Sequence, residues 1–225
     1  MNAFFETLLI TDWFWRIPAV LLGTAFLFCG ILYFLKNKRE SGFFVKNLKQ
    51  LVWALILGRL IYTAILTFFQ YFVWSQTEVS RVFLTSPADA TTFPGLTLFA
   101  PLFNGKFGYF ALYCIGRYWL GTLLSIFIAY VFYIFLRFLK KYKERFFEEG
   151  ELELGLVIGL IVGWPKFVIF VPLVFIFVIF ISIFRMLFAK EKFTTFGLPF
   201  LAAAIPALIW GIKLIDLLGL GAIKA

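Results

Sequence analysis

Histidine is missing from this 225-residue chain, and its cysteines are Cys29 and Cys114 alone. The absence of histidine removes the commonest general base and the commonest metal ligand of proteins. It also excludes the catalytic triads that depend on a histidine. Both cysteines lie inside apolar runs, without the spacing of a zinc or redox motif, which is typical of small buried residues. The sequence therefore predicts no metal and no soluble cofactor.

Charged residues are also scarce: they make up 15% of the chain, against 63% apolar and 22% aromatic residues. The mean hydropathy is +0.97. Soluble domains are about half apolar and about a quarter charged, so an ordinary soluble enzyme is excluded, and so is a disordered chain. The net charge is +9, but long uncharged runs separate the basic residues. We therefore expect them to face the membrane surface and not nucleic acid.

The hydropathy pattern predicts an all-α polytopic membrane protein, with residues 1–225 forming a single membrane domain of about six transmembrane helices. The third apolar run is too long for one upright helix, so it either tilts or has its span start near Arg117. The fourth is short, so it thins the bilayer, extends through Glu151 and Glu153, or is re-entrant. The six segments are about Ile17–Leu35, Leu51–Trp74, Phe107–Leu139, Leu152–Trp164, Phe167–Ala189 and Phe196–Ile215.

Basic residues concentrate in three alternate loops, and the positive-inside rule assigns these loops to the cytoplasm. Both termini are then expected outside. The three groups are Lys36, Lys38, Arg39, Lys46 and Lys49; Arg137, Lys140, Lys141, Lys143 and Arg145; and Arg185, Lys190 and Lys192.

Arg59 is a candidate functional residue because it lies within the second predicted span. An arginine inside the membrane costs several kcal/mol unless it is paired or hydrated. A guanidinium that faces a water-filled cavity could hold a lipid phosphate with two hydrogen bonds. Tyr62 shares its helix face. The alternative is a structural arginine that bonds backbone carbonyls or extends its charge to the interface.

Two further candidates lie near the predicted membrane surfaces. Arg117 precedes Tyr118 and Trp119, a pattern typical of an interfacial anchor, with a second phosphate contact as the alternative. An acidic cluster, Glu148–Glu153, precedes the fourth span. Paired carboxylates can share a proton and activate water, whereas solvated acids at a helix N-terminus are favourable without any chemical role.

Residues from about Ile17 to Lys143 resemble the front half of bacterial prolipoprotein diacylglyceryl transferases. The resemblance rests on Gly58, Arg59, Leu60 and Tyr62, followed by an outer segment at Pro94–Phe99. It implies transfer of diacylglyceryl from phosphatidylglycerol to the cysteine of an exported prolipoprotein. Arg59 is the one residue that the resemblance assigns to the lipid phosphate, and Arg117 and Tyr62 are the further phosphate candidates that their own positions suggest. The family's histidine and its Gly-Arg-x-Gly-Asn-Phe signature have no counterpart here.

Residues from about Gly150 to Gly211 resemble the back half of type IV prepilin peptidases, which are membrane aspartyl proteases. The matching residues are Gly150–Leu154, Gly159, Gly163–Lys166 and Phe196–Leu201. The resemblance places Glu151 at the position of a catalytic aspartate and implies cleavage of leader peptides at the cytoplasmic face. The partner aspartate of that family has no match.

Three functions follow as hypotheses. The first is a bacterial plasma-membrane diacylglyceryl transferase, with a transferase-like half at 17–143 and a peptidase-like half at 150–215. The second is a leader-peptide protease that uses Glu151 as its catalytic residue. The third is a non-catalytic membrane scaffold or binding protein. Both families act on exported proteins with an N-terminal leader helix, so the expected partners are such a protein and phosphatidylglycerol.

Overall fold

The computed structural model describes residues 12–36, 41–88, 103–142, 147–188 and 195–224, and within these ranges it contains helices and no strand. A π-helical turn at Ile115–Trp119 joins the helix that ends at Cys114 to the helix that begins at Leu120, and a short 3₁₀ turn at Gly221–Lys224 follows the last helix. The helices are α1 (Asp12–Leu35), α2 (Ser41–Gln76), α3 (Glu78–Thr85), α4 (Gly108–Cys114), α5 (Leu120–Tyr142), α6 (Glu151–Val162), α7 (Phe167–Phe188) and α8 (Gly197–Leu217).

Five helical segments of the described chain are long and apolar enough to cross a membrane, which confirms the predicted all-α polytopic class. The second begins about ten residues before its predicted start at Leu51, because Lys46 and Lys49 are exposed on α2 and do not interrupt it. The five segments are Arg16–Leu35, Gly42–Gln76, Gly108–Tyr142, Phe167–Phe188 and Gly197–Leu217.

The fourth predicted span is the 12-residue helix α6, which reaches about 18 Å and is shorter than the hydrocarbon core of a bilayer. Most of α6 is buried. Its first residue, Glu151, hydrogen-bonds Gly197 at the start of α8, and Lys166, just past its end, packs against Gly211. The segment Gly197–Gly211 of α8 covers roughly 21 Å. Over the length of α6 the chain therefore runs in the same direction as α8. It does not reverse direction within α6.

The chain divides into two compact units, Met1–Leu55 with Ala129–Ala225, and Ile56–Ile128. We refer to them as unit 1 and unit 2. Their boundaries differ from those of the predicted halves at 17–143 and 150–215. The first helix, α1, packs against α6, and α6 packs against α8, so early and late parts of the sequence share unit 1.

The core of unit 1 forms where glycines let α6 approach its neighbours. A Cβ on Gly159 would meet the Ala129 Cβ of α5 at 3.4 Å. Small residues such as these commonly allow helices to pack closely in membranes. Beside them, the Phe132 ring lies 5.3 to 6.0 Å, centroid to centroid, from Phe167, Phe170 and Phe200. Edge-to-face contacts of this kind stabilise the packing of α5, α7 and α8.

Unit 2 contains an aromatic cluster around Trp74, near the end of α2. The N-terminus of α3 is capped by Thr77, whose hydroxyl oxygen accepts the Ser80 N–H. Tryptophan and tyrosine are enriched where helices leave the hydrocarbon region, so this cluster is typical of a membrane interface. The rings that surround Trp74 belong to Phe83, Tyr109, Phe110 and Tyr113.

Candidate functional site

Gly150 forms the turn immediately before α6, whose first residue is Glu151. Its φ of 84° is left-handed, a conformation that glycine adopts without a steric cost. A Cβ at this position would lie 2.5 Å from the Phe44 ring. Backbone conformation and space thus both require glycine immediately before Glu151.

The carboxylate of Glu151 is fully buried and accepts two backbone hydrogen bonds. Oε1 accepts the Gly197 N–H at 2.8 Å, and Oε2 accepts the Glu148 N–H at 3.0 Å. The Thr195 side chain also hydrogen-bonds this carboxyl group. The first amides of a helix have no partner within the helix, so Glu151 acts on α8 as a cap supplied by another helix.

An ion pair flanks this carboxylate. Lys36 Nζ lies 2.8 Å from Glu148 Oε2, and the same ammonium lies 5.6 Å from the centre of the Phe44 ring. Tyr33 of α1 packs so close to Gly197 that a Cβ there would overlap its ring. These contacts bring the end of α1 to the starts of α6 and α8. We call Tyr33, Lys36, Glu148, Glu151, Thr195 and Gly197 the Glu151 cluster.

Burial raises the pKa of Glu151 above the ordinary carboxyl value, and the two backbone N–H donors only partly offset this rise. The charge of Glu148 raises the pKa further, and Tyr33 lies within electrostatic range of the same carboxyl. A raised pKa in a cleft often marks a functional group. Here, however, protein atoms cover the carboxyl completely, so a substrate cannot reach it in this conformation.

The raised pKa predicts how stability depends on pH. Between the ordinary carboxyl pKa of 4.5 and the raised value, the folded chain keeps a proton that the unfolded chain has released. The stability that Glu151 contributes is therefore complete at low pH and is lost as pH rises through the raised pKa. We expect the melting-temperature advantage of the wild type over Glu151→Gln to shrink as pH increases from 4.5. An advantage that stays constant with pH would contradict this expectation.

The other predicted site residues lie in unit 2. Arg59 and Tyr62 are half-buried on α2, whereas Arg117 is exposed in the π-helical turn. Tyr118 lies within electrostatic range of both Tyr62 and Arg117. Unit 2 therefore contains all three predicted phosphate ligands, while Glu151 belongs to unit 1.

Three hydrogen bonds link α2 to the segment that contains the π-helical turn, and sequence reasoning missed them. Thr63 bonds Thr122 at 2.9 Å, the Trp119 indole N–H donates to Thr67 at 3.0 Å, and the Tyr118 hydroxyl donates to Gln70 at 2.6 Å. The adjacent residues Tyr118 and Trp119 thus both bond α2, and π-helical turns are frequent at functional sites. The spacing of four and three between the polar residues of α2 was the available signal.

Comparison with known proteins finds no matching family model, curated protein or solved structure. The resemblances to diacylglyceryl transferases and prepilin peptidases therefore stay predictions. Within the ranges that the structure describes, no three histidine, cysteine, aspartate or glutamate side chains group together as ligands for a metal ion.

Proposed function

We propose that this chain is a membrane scaffold that binds an exported protein through its N-terminal leader helix and performs no chemistry at Glu151. The multi-pass helical architecture provides the membrane setting. The main supporting observation is that the Glu151 carboxylate is buried and hydrogen-bonded to Gly197, so that it links α6 to α8.

An aspartyl-type protease needs a carboxylate that reaches water and shares a proton with a second carboxylate. Glu151 instead directs both oxygens to backbone N–H groups. Glu148, the acid whose charge acts on Glu151, is paired with Lys36. The polar groups of the Glu151 cluster are thus used to hold α1, α6 and α8 together, which argues against cleavage at Glu151.

The partner class comes from the two sequence resemblances. The families that the two halves resemble differ in reaction, but both receive exported proteins whose leader is a membrane-associated helix. A scaffold that kept this partner and lost the chemistry would account for the missing histidine and the missing partner aspartate.

Co-purification tests this proposal. The tagged full chain is co-expressed with a prolipoprotein, with a prepilin, and with matched versions of each that lack the leader. We expect at least one partner with an intact leader to be recovered about tenfold above its leaderless version. Equal recovery with and without the leader would overturn the scaffold proposal.

A second candidate function is diacylglyceryl transfer, and the placement of Arg59 supports it. Arg59 and Tyr62 are half-buried on one face of a helix long enough to span the membrane. A guanidinium in such a position can bind a lipid phosphate. This candidate predicts that a prolipoprotein gains the mass of a diacylglyceryl group, and that Arg59→Ala abolishes the gain while Arg137→Ala, on the exposed surface of α5, does not.

A further inference from the structure

An open groove of about 470 Å³ lies along the first turns of α2. Glu149, from the turn before α6, also lines the groove. The volume is within the range of ordinary ligand sites. The remaining residues that line the groove are Gly42, Val45, Lys46, Lys49, Gln50 and Trp53.

The side chains of α2 that line the groove change in chemical character along the helix. Lys46, Lys49, Gln50 and Trp53 follow the spacing of three and four that places side chains on one helix face. The two lysines are exposed at the basic end of α2, which the positive-inside rule assigns to the cytoplasm. Trp53, with 65% of its surface exposed, lies one turn further along the helix. Cationic groups are thus followed by an amide and then by an indole.

We propose that this groove binds the headgroup of an anionic glycerophospholipid from the cytoplasmic leaflet. The ammonium groups of Lys46 and Lys49 would hold the phosphate. The carboxylate of Glu149 would accept hydrogen bonds from headgroup hydroxyls. The indole of Trp53 would lie against the glycerol and ester region, where tryptophan is enriched in membrane proteins.

Two features favour a lipid over a free phosphate. Phosphate alone would leave Trp53 exposed, whereas a lipid would cover it with its glycerol and first acyl carbons. The groove also lies on a helix whose 35-residue apolar segment is long enough to enter the bilayer. With two lysines and one glutamate, the lining has a net charge of one positive unit, which matches a headgroup with one negative charge.

Native mass spectrometry of the full chain released from nanodiscs tests the proposal. The nanodiscs contain phosphatidylglycerol, phosphatidylethanolamine or phosphatidylcholine in equal background lipid. We expect phosphatidylglycerol to be retained about tenfold more than the other two. Added inorganic phosphate at millimolar concentration should leave this retention unchanged. Equal retention of the three lipids, or displacement of the lipid by free phosphate, would overturn the proposal.

A charge-matched pair of variants separates the groove from general surface attraction. Lys46→Ala with Lys49→Ala should lose about tenfold in phosphatidylglycerol retention. Lys140→Ala with Lys141→Ala removes the same charge from the end of α5, outside the groove, and should retain the lipid like the wild type. An equal loss in both double variants would contradict a defined site. Melting temperatures in detergent verify that each variant is folded.

Discussion

Replacing Glu151 with alanine is expected to lower the free energy of unfolding by about 3 to 5 kcal/mol, the largest effect that we anticipate from a polar side chain. The substitution removes the acceptor of two N–H groups, and each donor left unsatisfied in a buried position costs about 1 to 3 kcal/mol. It also leaves a cavity at a fully buried position, which adds to the cost.

Thermal or SDS-induced unfolding of the purified chain measures this effect. Glu153→Ala is the matched control, because Glu153 lies on the same helix and is only half-buried. Glu151→Gln should fall between the two, since the amide keeps one acceptor oxygen and presents a donor to the other N–H. If Glu151→Ala were no less stable than Glu153→Ala, the structural role assigned to Glu151 would be wrong.

Gly197→Ala is expected to cost about 2 to 4 kcal/mol, the range for overpacking combined with a lost buried hydrogen bond. The new Cβ would overlap the Tyr33 ring and lie 2.6 Å from Glu151 Oε1. Relief requires α8 to move away from the carboxylate that caps it. The substitution therefore strains the packing against α1 and weakens the hydrogen bond to Glu151 together.

The control for this substitution is Gly211→Ala in the same helix. A Cβ there would meet Lys166 Cγ at 3.1 Å, so the lysine side chain must give by a few tenths of an ångström, whereas a Cβ at Gly197 would overlap an aromatic ring. We therefore expect Gly211→Ala to cost less than Gly197→Ala. Adding Tyr33→Ala to Gly197→Ala should restore part of the lost stability. Equal melting temperatures for the two alanine variants would argue against the close packing of α1 on α8.

Most of the helical architecture could be predicted because it depends on local composition. The predicted segments at 17–35, 167–189 and 196–215 agree with α1, α7 and α8 within a few residues at each end. The start of α2 was missed because charged residues at a membrane surface do not end a helix, as Lys46 and Lys49 show. The long third run proved to be helical from Gly108 to Tyr142, with its irregular turn around Arg117.

The role of Glu151 could not be read from the sequence, because it depends on a partner 46 positions away. Judged from the local sequence alone, an acid at the first position of a helix is typically solvated, and its negative charge interacts favourably with the helix dipole. Only the packing of α6 against α8 shows that this acid is buried and bonded to Gly197. The same holds for Thr63, whose partner Thr122 is 59 residues distant.

The scaffold proposal requires that this chain leaves leader-bearing proteins chemically unchanged, and weighing those proteins tests this requirement. One prolipoprotein and one prepilin are co-expressed with the chain in a host that lacks its own maturation enzymes, and the intact mass of each is measured after membrane insertion of the chain is verified. The scaffold account predicts that both masses are unchanged. A diacylglyceryl gain on the prolipoprotein would contradict it in favour of transfer, and loss of the prepilin leader would contradict it in favour of cleavage.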